Sequence, residues 1–555
     1  MAVMREKIEG AAARAARGNV IDRVVEAVNP VAGRRRLRAR FELEVAREVA
    51  RDVSNSGYSE GGASKKKSFS RGGGMSSLSP KEDINLNLPT LRRNSRSCWM
   101  IDPLARAALS RLNNFSIGTG LRLRSRPDYG LLGIERAAAE EWARRAEALY
   151  TAHFGSRACD AQGLNTGDEL QALALLAWLQ SGDTAGLLQY HEPRDDEISG
   201  LRVLLTEADR IRNPTQLLEG QREKLIDGVE IDAGGRAVAL HVARTHPLSS
   251  GGWGYSNDTD RIPIIGEESG RRNVLFLIWS ERPGQWRGAP FLAPIIEPLR
   301  NLGKYRESEL DAAVVASLFT VFMGTSDPQI PLGQSIPDAE RVVSESDDDA
   351  EYTMEMGHGN IIAGEPGQQP VMLDPKRPNA NFDAFTTAIT REIGAALGIP
   401  YEVLLANFTN SYSASRAALQ IAWQNFLCWR RRMVVNYCQP LYEEFVVEQV
   451  LLGNLEADID DPLRRAAWLR AFWYGPAMPI LNPVQEVTAA EKRVANRFST
   501  RTREAAEMTG MDFHAEVLPE QQVEEEELAE AGMAPLVITT AGGKVQPAPG
   551  TPPAE

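Results

Sequence analysis

From Leu299 to Gly453 the sequence is helical text interrupted twice. "LRNLGKYRESELDAAVVASLFTVFMG" carries Leu299, Leu302, Leu310, Ala313, Val314 and Phe319 in the rows a buried stripe needs. Roughly 25 such residues make a rod of about 37 Å. "SDPQIPLGQSIPDAERVVSESDDDAEY" then breaks the pattern with prolines and an acidic run. Helix resumes at "NFDAFTTAITREIGAALG", stops at "IPYEVLLANFTNSY" and restarts at "SASRAALQIAWQNFLCWRRRMVVNYCQPLYEEFVVEQVLLG". The plan is helix, acidic excursion, helix, loop, very long helix. A stiff, charged corner launches it: in "SERPGQWRGAPFLAPIIEPL", Pro283 and Gly284 turn the chain, and Gly288 and Pro290 set the helix start.

A chain of 555 residues exceeds one compact core, so several layers or domains are expected. Cys98, Cys159, Cys428 and Cys438 form no CxxC pair, which argues against a disulfide framework or a thiolate zinc site. The six histidines are dispersed and HExxH is absent. The first residues lack the apolar core of a signal peptide, and no run of 18 apolar residues could span a bilayer, so a cytosolic site of synthesis and no membrane partner are expected.

Charge is uneven. Residues 1–100 hold 20 Lys and Arg against 11 Asp and Glu, while the whole chain is −13, so the body is strongly acidic. A nucleic-acid reader that works by neutralising phosphates would be basic over its folded part. Residues 53–80, rich in Gly, Ser and Lys, have linker composition, and the tail from Pro519, with "EEEE" and a Pro-rich end, is expected to be disordered.

Between these ends the text is α+β, mainly α. Pro103–Phe115 has helical periodicity, and "GTG" turns the chain into a short strand with Leu121 and Leu123. "IERAAAEEWARRAEALYTAHF" and "TGDELQALALLAWLQSGD" are helical; "GVEIDAGGRAVALHVAR" and "RNVLFLIWSERPGQWRG" carry strand signals. Asp209, Asp227 and Asp232, with Lys224, are candidate acid/base groups, more simply read as solvated carboxylates. No P-loop occurs, and the one GxSxG match, "GYSEG" at 57–61, lies in the linker without the strand and helix a nucleophile elbow requires.

"RPGQWRGAPFLAPIIEPLRNLGKYRESELDAA" (282–313) and "FDAFTTAITREIGAALGIPYEVLLANFTNSYSASRAAL" (382–419), in this order, resemble the lambda family of tailed-phage portal proteins. "NNFSIGTGLRLRSR" (113–126) and "FWYGPAMPILNP" (472–483) add weaker support. The resemblance covers about 85–515. It implies a portal fold with wing, stem, clip and crown, assembling as a ring, usually of twelve copies, at one capsid vertex. It places a basic arm and linker at 1–84, the wing at 85–289, and the first stem helix at 290–323. The clip falls at 324–379, the second stem helix at 380–399, a tunnel loop at 400–414, a long helix at 415–452, the crown at 453–518 and the tail at 519–555.

On that layout Arg282, Gln285, Trp286 and Arg287 are expected to hold a neighbouring subunit at the wing–stem corner, because a head-to-tail interface must close at a fixed rotation. Asn407, Phe408, Thr409, Asn410 and Tyr412 would face DNA in the tunnel. Glu345, Asp347, Asp348, Asp349 and Glu351 of the clip would meet the terminase large subunit and a head-completion or connector protein. Other implied partners are the major capsid protein, a scaffold protein and double-stranded DNA passing without sequence specificity. The implied location is the virion, with host cytoplasm during assembly, and no catalytic residue, cofactor or metal is expected. Two other readings fit the sequence less well: a different oligomeric virion scaffold or adaptor, and, least of all, a carboxylate-dependent hydrolase using His241 or His246.

Overall fold

The computed structural model describes residues 79–214, 224–247, 259–317, 322–323, 362–363, 382–408, 411–480, 482–511 and 513–531. They form two units: Ile295–Ala396 is one, and the described residues up to Pro294 together with those from Leu397 form the other. The fold is mixed α and β and helix-rich. The arm and nearly all of the linker before residue 79, the clip apart from 362–363, Thr409, Asn410 and the tail beyond 531 lie outside the described residues.

In the larger unit, α1 (Leu88–Ile101) and α2 (Pro103–Ser116) come first. Asp102 separates them because it can do two jobs: its extended backbone ends one helix, and its carboxylate accepts from the N–H groups of Leu104 and Ala105 at the start of the next. Pro103, with no N–H to satisfy, fits the first helical position. The same cap-then-proline grammar recurs later at Asp461-Pro462 and Asn482-Pro483. A two-glycine turn leads into β1 (Arg122–Ser125), then α3 (Arg136–Phe154) and α4 (Gly167–Ser181), the last opened by a reciprocal Thr166–Glu169 capping box.

Two antiparallel sheets follow. β2 (Asp183–Tyr190) is the centre of the first, with β3 (Leu201–Glu207) on one side and β8 (Val274–Ile278) on the other. Its first six residues are all buried, which fits their small or apolar character at a strand covered on both faces. The second sheet is β4 (Leu225–Ile226), β5 (Val229–Ile231), β6 (Ala237–Ala243) and β7 (Thr259–Pro263) in that order. Asp232 shapes its β5–β6 turn by accepting from Gly234 N and Arg236 N, both at 2.8 Å. Ala185, Leu187 and Val274 of the first sheet share one core with Val229, Leu240 and Val242 of the second.

The smaller unit holds α5 (Ile296–Ser317), the short parallel pair β9 (Phe322–Met323) and β10 (Ile362–Ala363), and α6 (Phe382–Leu397), whose last residue falls in the larger unit. Tyr305 of α5 stacks on Phe382 of α6 at 5.5 Å and meets Phe385 edge-on at 4.9 Å. In the larger unit the chain continues through α7 (Tyr401–Leu405) to α8 (Tyr412–Met433) and α9 (Gln439–Leu451). A π-turn at Val434–Cys438 joins these two, just before Pro440, which has no N–H for the carbonyl one turn back. β11 (Ala471–Tyr474) returns to pair with β1, so the two ends of the unit are tied by one ribbon. α10 (Pro462–Trp468), α11 (Pro483–Ala495), α12 (Arg501–Met508) and α13 (Leu518–Glu530) complete the described fold.

The N-cap of α8 is Ser411, whose hydroxyl accepts from Ala414 N, so the helix begins at Tyr412 and Ser415 is buried within it. One expectation changes. The acidic start of the tail is helical, because Pro519 sits where a helix tolerates it and Glu and Gln are good helix formers. Among the described residues no helix is long and apolar enough to cross a membrane.

Candidate functional site

The corner after β8 is held by one amide. Gln285 Oε1 accepts from Glu281 N (2.8 Å) and Arg282 N (3.1 Å), its Nε2 donates to Arg287 O (2.9 Å), and Ser280 Oγ donates to its carbonyl. Gly284, at φ 76°, takes the left-handed step between them. Trp286 is half-buried on the two-sheet core and donates from its indole to Gly235 O at 3.3 Å. Arg282 keeps 41 % of its side chain exposed and reaches Asp83 at 2.6 Å.

Arg287 turns inward. Nε donates to Asp183 Oδ2 (2.7 Å), Nη2 to Asp183 Oδ1 (3.0 Å) and Ala208 O (2.8 Å), and Nη1 to the carbonyls of Ile211 (2.7 Å) and Asp227. All five guanidinium donors are thus taken inside its own chain. The expectation that Arg287 grips a neighbour is therefore corrected, since no donor is left for one. Gln285, buried with both ends of its amide engaged, is likewise internal.

Asp183, fully buried at the start of β2, is the hub of this corner. It also accepts from Arg92 Nη2 at 3.0 and 3.1 Å and from Gly288 N at 2.9 Å. Burial pushes its carboxyl up, but Arg287 and Arg92 outweigh that and hold it below the ordinary range. Burial brings Arg92 down to about 10. Gly182, at φ 88°, and Gly288 face each other so closely that a Cβ on either would collide with the other's backbone. The strand start and the corner are welded at this point.

The corner is also clamped to the long helix. Trp429 of α8 is packed by Trp178 (5.5 Å), Trp279 (4.8 Å) and Phe291 (5.5 Å), and Arg432 lies 3.1 Å over the Trp279 ring. Further along, α9 presents two buried carboxylates. Glu444 accepts from Arg271 Nε (3.2 Å), Arg272 N (3.0 Å) and Tyr190 Oη (3.2 Å), and Glu448 accepts from Gly200 N (3.1 Å) and Ser199 Oγ. Sequence reasoning missed this pair; the one signal was two acids spaced i, i+4, Glu444 and Glu448, in the mostly apolar text "EFVVEQVLL".

The loop between α7 and α8 has a fixed base and exposed described residues on either side of 409–410. Val403 and Leu404 are buried, Arg111 Nε holds Leu404 O at 2.9 Å, and Ala406 caps α7 in the left-handed region. Beyond this base Asn407, Phe408 and Tyr412 are exposed, the last two at 46 % and 44 %. Tyr412 Oη lies 3.2 Å from Arg416 Nη1, and no charged residue stands between Asn407 and Tyr412. Glu345, Asp347, Asp348, Asp349 and Glu351 lie outside the described residues, as do Thr409 and Asn410.

The candidate catalytic groups have local partners. Asp232 makes its hairpin turn, Asp209 pairs with Arg96, and His241 lies 3.2 Å from Glu230. Glu207, Asp209 and His246 bring three ligand-type atoms within 4.8 Å of one another, but Asp209 is already paired with Arg96 and His246 lies 3.5 Å from Glu207.

The sequence matches the model of a family described as "Phage portal protein, lambda family" over residues 68–430. Among characterised relatives it is similar to portal protein B of Escherichia phage lambda, 23 % identical over 445 residues that cover 76 % of this chain and 80 % of that one. The portal protein of Escherichia phage N15 is 24 % identical with the same coverage.

Proposed function

The chain belongs to the lambda family of phage portal proteins, and on that premise we propose that it forms a ring, of about twelve copies by analogy with the family, at one vertex of a bacteriophage capsid. Portal proteins are structural virion components tied to DNA packaging, not enzymes. In this reading the ring is the channel through which double-stranded DNA enters and leaves. A separate ATP-driven terminase and a connector protein dock on its clip, and the major capsid protein surrounds it. The observation that carries the reading is the family match across most of the chain. The charge pattern supports it: an acidic body of a chain at −13 repels phosphates, so DNA can slide without being trapped.

The division into wing (85–289), stem helices, clip, tunnel loop, long helix and crown is part of the same proposal. Within it, the internal bonds of Gln285 and Arg287 make the corner rigid, and a neighbouring subunit is met by Arg282 and half-buried Trp286, which lie nearer its surface. Native mass spectrometry and electron microscopy of the purified protein test the reading. Rings with an axial hole are expected. Compact monomers, or closed oligomers without a hole as another scaffold or adaptor would give, would overturn it.

The acidic run of the proposed clip yields a separate expectation. Changing Asp347, Asp348 and Asp349 to asparagine should weaken terminase docking about tenfold at low ionic strength, with the difference shrinking as salt screens it. Equal affinity at low salt would identify the run as a solvated loop.

A further inference from the structure

A cleft of about 1420 Å³ opens beside the β1–β11 ribbon, walled by α3, α8, α11 and α12. Eight arginines line it against four carboxylates, an inversion of sign for a chain whose body is acidic. Three of the carboxylates are already neutralised: Asp128 by Arg470, Glu140 by Arg136 and Glu486 by Arg416. Arg126, Arg430 and Arg503 form no ion pair among the described residues. Arg126 lies over the Phe472 ring at 5.4 Å, while Arg430 lies over Trp423 at 5.7 Å and donates to the carbonyls of Phe115, Ser116 and Pro476. Burial with no counter-charge pushes Arg430 down to about 10. The cleft thus offers guanidinium groups backed by aromatic rings, a surface suited to carboxylates.

The same chain carries a segment of the opposite kind. α13, "LPEQQVEEEELAE", buries no side chain in its own subunit. A helix of 13 residues is marginal in water unless it packs on something. Glu520, Glu524 and Glu527 recur at i, i+4 and i+7, so one face presents a row of carboxylates. His514, in the π-turn that leads into α13, lines the cleft, whereas no residue of 518–530 does. The acidic helix therefore leaves from the rim of a basic cleft that it does not fill. The cleft volume is comparable with that of about three turns of an α-helix.

We propose that this cleft receives α13 of a second copy of the chain, so that each subunit's acidic helix docks among the arginines of the next. This rests on the ring reading above: a heterologous contact repeated around a closed ring fills every cleft and leaves no helix free. The recognition is ionic and charge-assisted, with Glu520, Glu524 and Glu527 facing Arg126, Arg430 and Arg503.

Charge exchange followed by native mass spectrometry at low salt tests it. Arg126→Glu with Arg503→Glu, both exposed side chains, should lower the ring fraction at least tenfold. Glu524→Arg with Glu527→Arg should do the same, and the combined variant should recover most of the rings. A second arm places Arg503→Cys and Glu524→Cys together in a Cys428→Ser background, where the remaining native cysteines, Cys98, Cys159 and Cys438, are buried. Oxidation should then give disulfide-linked ladders longer than a dimer, absent from either single cysteine. Wild-type protein that forms no ring defeats the ring reading itself. Wild-type rings with charge variants assembling at full yield and no ladder defeat the docking proposal alone. Loss of binding to a short DNA duplex by Arg126→Glu with Arg503→Glu, with rings intact, would assign the cleft to phosphates and also overturn it.

Discussion

Arg287→Ala is expected to destabilise the subunit by about 3–5 kcal/mol, the cost of removing one partner from a buried ion pair. The side chain is 1 % exposed, and its loss leaves fully buried Asp183 with Arg92 as its remaining cationic partner. It also strips a donor from the carbonyls of Ala208, Ile211 and Asp227, which join the two sheets to the corner. Arg287→Lys keeps the charge but cannot fork to both carboxylate oxygens while serving the carbonyls, so an intermediate loss is expected. Arg282→Ala, removing a partly exposed pair, should cost about 1 kcal/mol or less. Denaturant melts followed by tryptophan fluorescence measure all three, with Trp279 and Trp286 beside the corner as reporters. A wild-type midpoint for Arg287→Ala would sink the assignment.

The pH dependence has a definite sign. The Asp183 carboxyl is held below its unfolded value, so its contribution is complete above the ordinary aspartate range and disappears as pH falls through the lowered folded value. In Arg287→Ala burial acts against one cation fewer, the carboxyl moves up, and acid unfolding should begin at higher pH than in wild type.

The corner also shows where sequence reading stops. Pro283 and Gly284 announce a turn because their backbone preferences are local, whereas the helix expected to start from Gly288 and Pro290 begins only at Ile296. Cap-then-proline pairs mark helix starts for the same reason. The direction of the Arg287 side chain is not local: it is set by Asp183, 104 residues earlier in the chain, and by three carbonyls on other segments. An arginine beside a tryptophan on a rigid turn has the composition of an interface anchor, and only the fold reveals that it is sealed inside. The same holds for Glu444 and Glu448, which look like surface acids until β2, the β2–β3 loop and the chain before β8 supply their donors. The acidic helix α13 errs the other way. Its composition suggests disorder because it has no apolar face to bury, and whether such a segment is ordered depends on a partner its own text does not name.

Phe408→Ala and Asn410→Ala are expected to assemble into procapsids at normal yield, yet to reduce DNA-filled particles about tenfold. An ordinary interhelical loop would carry Phe408 in the core, where truncation costs about 3–5 kcal/mol. The ring is instead 46 % exposed, so its removal should cost the subunit about 1 kcal/mol at most. Exposure at this position comes with a rigid base: Leu404 is buried, Arg111 holds its carbonyl, and Ala406 turns the chain at φ 54°. Asn407, Phe408 and Tyr412, exposed beside a fixed base in a stretch of sequence without a charge, suit a wall that touches a phosphate backbone in any register and lets it go. That is the property a passage for duplex DNA requires, and it is lost by shortening side chains here rather than by unfolding the subunit. Counting filled and empty particles by sedimentation, alongside thermal melts of the purified ring, separates the two causes. Insoluble subunits would return Phe408 to the core, and full genome filling in both variants would remove this loop from the channel.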